Sequence, residues 1–128
     1  IASTTPTDTT ITATITPTSA SNKILVIVTA HYYAERTAAT ECMIGGRLMR
    51  GATQIANFGN EFDITQITGA TAVYRRGNIP ITWLDSPATT SATTYKVQGN
   101  VGNTASGGSC TFQYNSYPSS IILMEVVA

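Results

Sequence analysis

SSIILMEVVA, residues 119–128, carries seven apolar side chains in ten positions, and they fall on both parities of a strand. Ile122, Met124 and Val126 point one way; Ile121, Leu123 and Val127 point the other, with Glu125 among them. Successive strand residues leave opposite faces, so a strand with one wet face alternates apolar and polar residues. This stretch does not alternate, which raises the question of what covers its second face. KILVIVTAHYY, 23–33, has five consecutive apolar residues after Lys23 and reads as a central strand covered on both sides for the same reason.

Working outward, TITATIT (10–16) alternates cleanly, and PTSASNK (17–23) is turn chemistry. ERTAA (35–39) reads as a short connection into the strand TECMIGGRLM (40–49), where Gly45-Gly46 predicts a bulge or a close backbone approach. ATQIAN is a short strand after the Arg50-Gly51 turn, and FGNEFDITQ (58–66) a polar loop. TGATAVYR (68–75) and NIPITWLD (78–85) read as a pair around Arg76-Gly77. TTYKVQGNV (93–101), CTFQY (110–114) and 119–127 complete the strands, separated by SPATTSA, GNTASGGS and NSYP. A lead strand followed by eight more, with no helix-period stretch, predicts an all-β antiparallel sandwich, a jelly roll of about eight to nine strands.

The 128 residues fit one domain with a real core. The Thr-rich opening with Pro6 reads as a linker over 1–9, leaving a single domain over 10–128. Ile1 in place of Met points to a processed product or one domain of a longer chain. Net charge is zero and only 11% of residues are charged, which argues against nucleic acid or anionic lipid as a partner, since those need clustered Lys and Arg. The apolar runs fall well short of the ~20 residues a membrane helix needs, so no membrane insertion is expected.

Four stretches in chain order, TATITPTSASNKILV, LMRGATQIA, WLDSPATTSATTYKVQ and SSIILMEVVA, resemble the C-terminal head domain of bacteriophage tail fibres and related virion fibre proteins. The most specific part is LDSPATTSATTYKVQ; the match runs from about Thr12 to the end. The resemblance implies a jelly-roll head of the TNF/C1q type at a fibre tip, a homotrimer on the virion that joins the rest of the fibre and binds a host cell-surface glycan or protein. It also offers an answer for 119–127: neighbouring subunits cover the second face around a three-fold axis, with Ile121, Leu123 and Val127 packing there. The loops 58–66 and 102–109 match nothing in that family, so the ligand's identity does not carry over. A fibre part or trimerisation cap without ligand is the alternative, and a glycan depolymerase the third.

Jelly-roll order gathers ERTAA, FGNEFDITQ, SPATTSA and NSYP at one end of the sandwich, and the 50–51 turn, Arg76-Gly77 and GNTASGGS at the other. Glycan sites need an aromatic face for the sugar ring and amides or carboxylates for its hydroxyls. Asn57, Phe58, Asn60, Glu61, Phe62, Asp63, Asn115 and Tyr117 supply both at the first end and form the candidate receptor surface. His31, Trp83, Tyr74, Tyr95 and Tyr114 read as structural packing.

No catalytic residues are assigned. A Ser-His-Asp triad would have to use His31, the only histidine, and no G-x-S-x-G elbow exists. Glycan cleavage by paired carboxylates would draw on Glu61 and Asp63, or on Glu35, Glu41 and Asp85, and nothing marks one pair. His31, Cys42 and Cys110 lack the close ligand pairs of a zinc site, and no cofactor is expected. Pairing 40–49 antiparallel with 109–114 sets the two cysteines roughly four residues apart along the ladder at ~3.3 Å each, beyond the ~7 Å limit for a disulfide, so two buried free thiols are expected.

Overall fold

The computed structural model describes residues 1–59 and 61–128; Asn60 and the side chain of Ala70 lie outside the described residues. The chain forms strands β1 (Thr7–Ile15), β2 (Lys23–Arg50), β3 (Thr53–Asn57), β4 (Asp63–Asp85), β5 (Thr93–Val101), β6 (Ser109–Phe112) and β7 (Ser120–Val126), with short 3-10 turns at Ala105–Gly107 and Tyr114–Ser116. All strand pairing is antiparallel. The all-β reading therefore holds, but the strands are fewer and two of them far longer than expected.

Two predicted breaks are absent and a third is shorter than expected. ERTAA is not a connection: Glu35 and Arg36 pair with Tyr74 and Val73, and Ala39 with Thr71. The predicted 58–66 loop ends early, because Asp63, Ile64, Thr65 and Gln66 pair with Ile44, Met43, Cys42 and Glu41. Arg76-Gly77 is no turn, since the two residues pair with Tyr33 and Tyr32 in the middle of β4. Gly77 is there for room. A Cβ on it would stand 2.7 Å from the Tyr32 hydroxyl oxygen, closer than real Cβ contacts come. Gly46 is the close approach that the Gly-Gly pair predicts: its Cβ would stand 2.7 Å from the Gln98 carbonyl oxygen.

β2 is the hub. Along one edge it bonds successively to β7, β6 and β5; along the other to β4 and β3; β1 adds to β5. Hydrogen bonding thus joins all seven strands into one sheet, and because both arms of the 28-residue β2 line one core, the sheet must bend between them. The bend lies where the β2–β4 register slips between Arg36 and Glu41. Ala38 takes φ 48° and Gly69 φ 83°, both left-handed, so each ribbon strand absorbs the corner locally. An Ala in that region costs about 1–2 kcal/mol, and the surroundings hold it. Buried Arg36 donates from Nε to the Ala105 carbonyl (3.0 Å) and from Nη1 to the Glu41 carbonyl (3.0 Å), and Thr37 Oγ1 donates to the Ser106 carbonyl (3.0 Å). The 102–108 loop therefore clamps the corner, at the 35–39 end, where the sequence-derived order did not put it.

Both arms of β2 turn their even-numbered residues into one core: Ile24, Val26, Val28, Ala30, Tyr32 and Ala34 from the first, Cys42, Ile44 and Leu48 from the second. Tyr95, Val97 and Val101 of β5, Ile79 and Ile81 of β4, and Ile11 of β1 join them. Each buried Ile, Leu or Val is worth roughly 1.5–3 kcal/mol. Buried Asp85 fastens the far end: it accepts both Arg50 Nη1 (3.0 and 2.8 Å) and the hydroxyl of fully buried Tyr95 (2.7 Å). Burial first, and this carboxylate second, raise the Tyr95 pKa. Arg50 also donates to the Ser86 carbonyl, which places the 86–92 loop beside the 50–51 turn rather than opposite it.

Residues 1–9, expected to be a linker, lie on the domain. Ile1 packs against the core and exchanges backbone hydrogen bonds with Cys110 (2.7 and 2.8 Å), and the Val101 amide donates to the Ser3 carbonyl. Cys42 and Cys110 are free and buried. The ladder invoked for them is not the one formed: β6 pairs with residues 32–35 of β2, and residues 44–50 pair with β5. Burial pushes the Cys110 thiol up to about 11 and also raises Cys42.

Candidate functional site: the outer sheet face

The parity that leaves the core forms a continuous outer surface across β7, the first arm of β2, and β4. Partners directly opposite on antiparallel strands share a face. One row is therefore Met124–Leu25–Leu84 and the next Ile122–Ile27–Thr82, with Val126–Lys23 at the rim. Met124 is 52% exposed, Leu84 50% and Ile122 49%. Lys23 is the only charged side chain in these rows.

The two faces of 119–127 thus have different fates. Ile121 and Leu123, expected at a trimer axis, pack against the chain's own core. Val127, the third residue of that set, lies beyond β7 and is exposed. Ile122, Met124 and Val126 form the uncovered side. Glu125 is explained by its partners. It shares the inward parity, reaches the sheet end, and its Oε1 accepts the Thr18 amide (2.6 Å), the Thr18 hydroxyl (2.9 Å) and Asn22 Nδ2 (2.7 Å). The Asn22 bond first, then the Thr18 amide, hold its carboxyl below the usual glutamate range.

Further along the same face the chemistry changes. Tyr33 and Glu35 of β2, Tyr74 and Arg76 of β4 and Tyr114 after β6 form one cluster. Tyr33 lies between two rings, 4.4 Å from Tyr114 and 6.1 Å from Tyr74 between centroids, with interplanar angles of 22° and 19°. The Arg76 guanidinium sits 5.2 Å over the Tyr33 ring and 5.5 Å over that of Tyr114. Tyr33 donates its hydroxyl to Glu35 Oε2 (2.7 Å), and burial together with that bond raises its pKa. A cleft of about 540 Å³, lined by Tyr33, Tyr74 and Arg76, opens on this cluster. Tyr74 is 57% exposed beside it. His31 and Tyr117 stack next along the face at 4.6 Å.

The ion pairs among the described residues are Arg36–Glu41, Arg50–Asp85, Arg75–Asp63 and Lys96–Asp8; Arg76 belongs to none. Its neighbour Arg75 points the other way and binds Asp63 (2.9 Å), which also accepts the Tyr32 hydroxyl.

The sequence-derived receptor residues separate into two groups. Phe58 packs partly on the core and meets Phe62 edge-on at 6.2 Å. Asn57 closes a local turn by accepting the Gly59 amide, Asp63 is committed to Arg75 and Tyr32, and Glu61 is exposed. Asn60 lies outside the described residues. Asn115 and Tyr117 instead belong to the outer face: Asn115 lies in the 3-10 turn that carries Tyr114, and Tyr117 covers His31. Tyr74 and Tyr114, read from sequence as packing, Arg76, read as a turn residue, and Tyr33, given no role there, are the members that reasoning missed. The signal was strand parity. Tyr74, Arg76, Asn78, Pro80, Thr82 and Leu84 alternate with buried Val73, Ile79 and Ile81, but a supposed turn at Arg76-Gly77 breaks the count. Trp83 shares the inward parity of Ile79 and Ile81, as expected, yet is 40% exposed.

Aromatic faces, a fixed cation and hydroxyls converging on one cleft are equipment for binding. Among the described residues no three His, Cys, Asp or Glu side chains gather as a metal site. No protein-family model, curated protein or solved structure matches the chain.

Proposed function

We propose that this chain is the head domain of a virion fibre, a jelly-roll module that assembles as a homotrimer and binds host cell-surface glycan during adsorption. The observation that carries the reading is the divided outer face, with apolar rows at one end and an aromatic cleft at the other. The likeness of four sequence stretches to fibre heads supports it.

The occupant of the apolar rows is two further copies of this chain. In a closed symmetric assembly each residue near the axis meets its own copies, so a patch of charged side chains would repel itself. Leu25, Ile27, Leu84, Ile122 and Met124 are uncharged, with Lys23 confined to the rim. Exposed apolar rows of this kind mark an interaction surface. The aromatic cleft lies farther along the strand: Ile27 and Tyr33 are six residues apart on β2, about 20 Å at ~3.3 Å per residue. A subunit seated on the rows leaves the cleft for ligand.

The test is light scattering of the intact chain, followed by binding to a panel of purified bacterial surface polysaccharides. A mass near three times 13.5 kDa and saturable binding to at least one polysaccharide are expected. A stable monomer overturns the assembly, and a trimer that binds none of them is a structural cap.

A further inference from the structure

The cleft carries a preference that the general reading does not contain. Resting on the glycan-binding reading, we infer that the Tyr33–Tyr74–Arg76 cleft takes a carboxylate-bearing sugar, a uronic or sialic acid residue of a surface polysaccharide.

Three observations lead there. Tyr74 offers a ring more than half exposed at the cleft, the flat apolar face against which the C–H side of a pyranose packs. Arg76, two residues along the same strand and on the same face, supplies a guanidinium that no carboxylate of the described residues engages. The nearby acid is already committed. Glu35 takes the Tyr33 hydroxyl at 2.7 Å and lies at 3.5 Å from Ser109 Oγ, so it holds the ring ladder together.

The Tyr33 and Tyr114 rings hold the Arg76 guanidinium 5.2 and 5.5 Å from their centroids, and the contact uses none of its hydrogen-bond donors. A guanidinium held beside two rings, with N–H groups unspent by an ion pair, on the border of a cleft of about 540 Å³, suits a planar, bidentate anion. A carboxylate on a ring satisfies both halves of the cleft at once: the ring covers Tyr74 while its carboxylate meets Arg76. A neutral sugar satisfies only the first half, and a free phosphate only the second.

The test titrates the intact chain, by NMR of its aromatic and arginine side-chain signals, with D-glucuronate, N-acetylneuraminate, D-glucose and inorganic phosphate. At least one of the two acidic sugars is expected to shift the Tyr74 and Arg76 signals saturably. Its affinity should exceed that of glucose and of phosphate by roughly tenfold, with the gap closing as salt is raised. R76Q should bring the acidic sugar to the level of glucose, and Y74A should weaken acidic sugar and glucose together. Equal binding of glucose and the acidic sugars at these signals overturns the acid preference while keeping the glycan reading. Phosphate binding as well as the acidic sugars overturns the sugar and leaves an anion site. A chain that binds none of the four at this cleft but binds a polysaccharide elsewhere overturns the site. If no polysaccharide binds at all, the glycan-binding reading fails with it.

Discussion

The two halves of the outer face share a sheet, a parity and a central strand, yet they expose opposite kinds of chemistry. Along β2 the outward residues run Leu25, Ile27, Thr29, His31, Tyr33, Glu35. The first two continue into rows that are apolar except for Thr82, while the last two are tied into rings and hydroxyls. Backbone geometry is the same in both, so the difference is written only in side chains. It separates a surface that another apolar surface must cover from one that can stay wet.

The sharpest way to break this comparison uses neighbours on β7. Leu123 packs inward and Met124 outward. Leu123→Asp puts a carboxylate against the core and should destabilise the fold by about 2–4 kcal/mol, read as a fall in the urea midpoint with loss of strand signal. Met124→Asp should leave strand content intact and the monomer's stability within about 0.5 kcal/mol. In the proposed trimer it brings three carboxylates together, so the mass should drop to that of one chain, and the dependence of unfolding on protein concentration should vanish. A Met124→Asp protein that keeps the trimer's mass moves the axis off this face.

A smaller effect is expected at the other half. Tyr74→Ala removes an exposed ring that stacks on Tyr33 and makes no hydrogen bond among the described residues, so stability should fall by no more than about 1.5 kcal/mol. Polysaccharide affinity should fall roughly three- to tenfold, the worth of one aromatic face. Unchanged affinity with an unchanged fold would remove Tyr74 from the site.

How much of this was legible follows from where the sequence carries parity. TITATIT, KILVIV and TTYKVQ show their strands directly, and the double-sided pattern of 119–127 marks a strand that is apolar on both faces, one turned to the core and one exposed. Its parity does not say which side is the core. That depends on which strand lies across it, β1 here, and Ile121 and Leu123 went inward instead of Ile122 and Met124. ERTAA carries no apolar alternation, so it looks like a connection. It stays in a strand because left-handed Ala38 and Gly69 bend the ribbon without breaking it, and because Arg36 and the 102–108 loop hold the corner. Gly77 reads as a turn signal, yet it makes space for Tyr32; a glycine alone does not distinguish the two. Losing that count hid Tyr74 and Arg76, and with them most of the cleft. Asn115 and Tyr117 remained visible because Pro118 and the short NSYP run mark their turn.

The smallest effect expected tests how the apolar half is anchored. Glu125 sits among inward apolar residues, yet three donors from the 17–22 turn reach its Oε1. Its folded pKa lies below the ordinary 4.5. The carboxylate therefore contributes stability that is present above the ordinary value and is lost as the pH falls through the lowered one. Glu125→Gln keeps an acceptor oxygen but loses the charge. Wild type should unfold at slightly higher urea than Glu125→Gln at pH 7, and the two midpoints should converge as the pH falls through the lowered value. Asp8, lowered chiefly by its bond from Lys96, titrates in both proteins and cancels from the difference. A gap that persists at low pH would mean that the turn is held by the shape of residue 125 and not by its charge. The apolar rows would then end on a packed corner instead of an electrostatic one, and their edge near Lys23 and Val126 would be insensitive to acid.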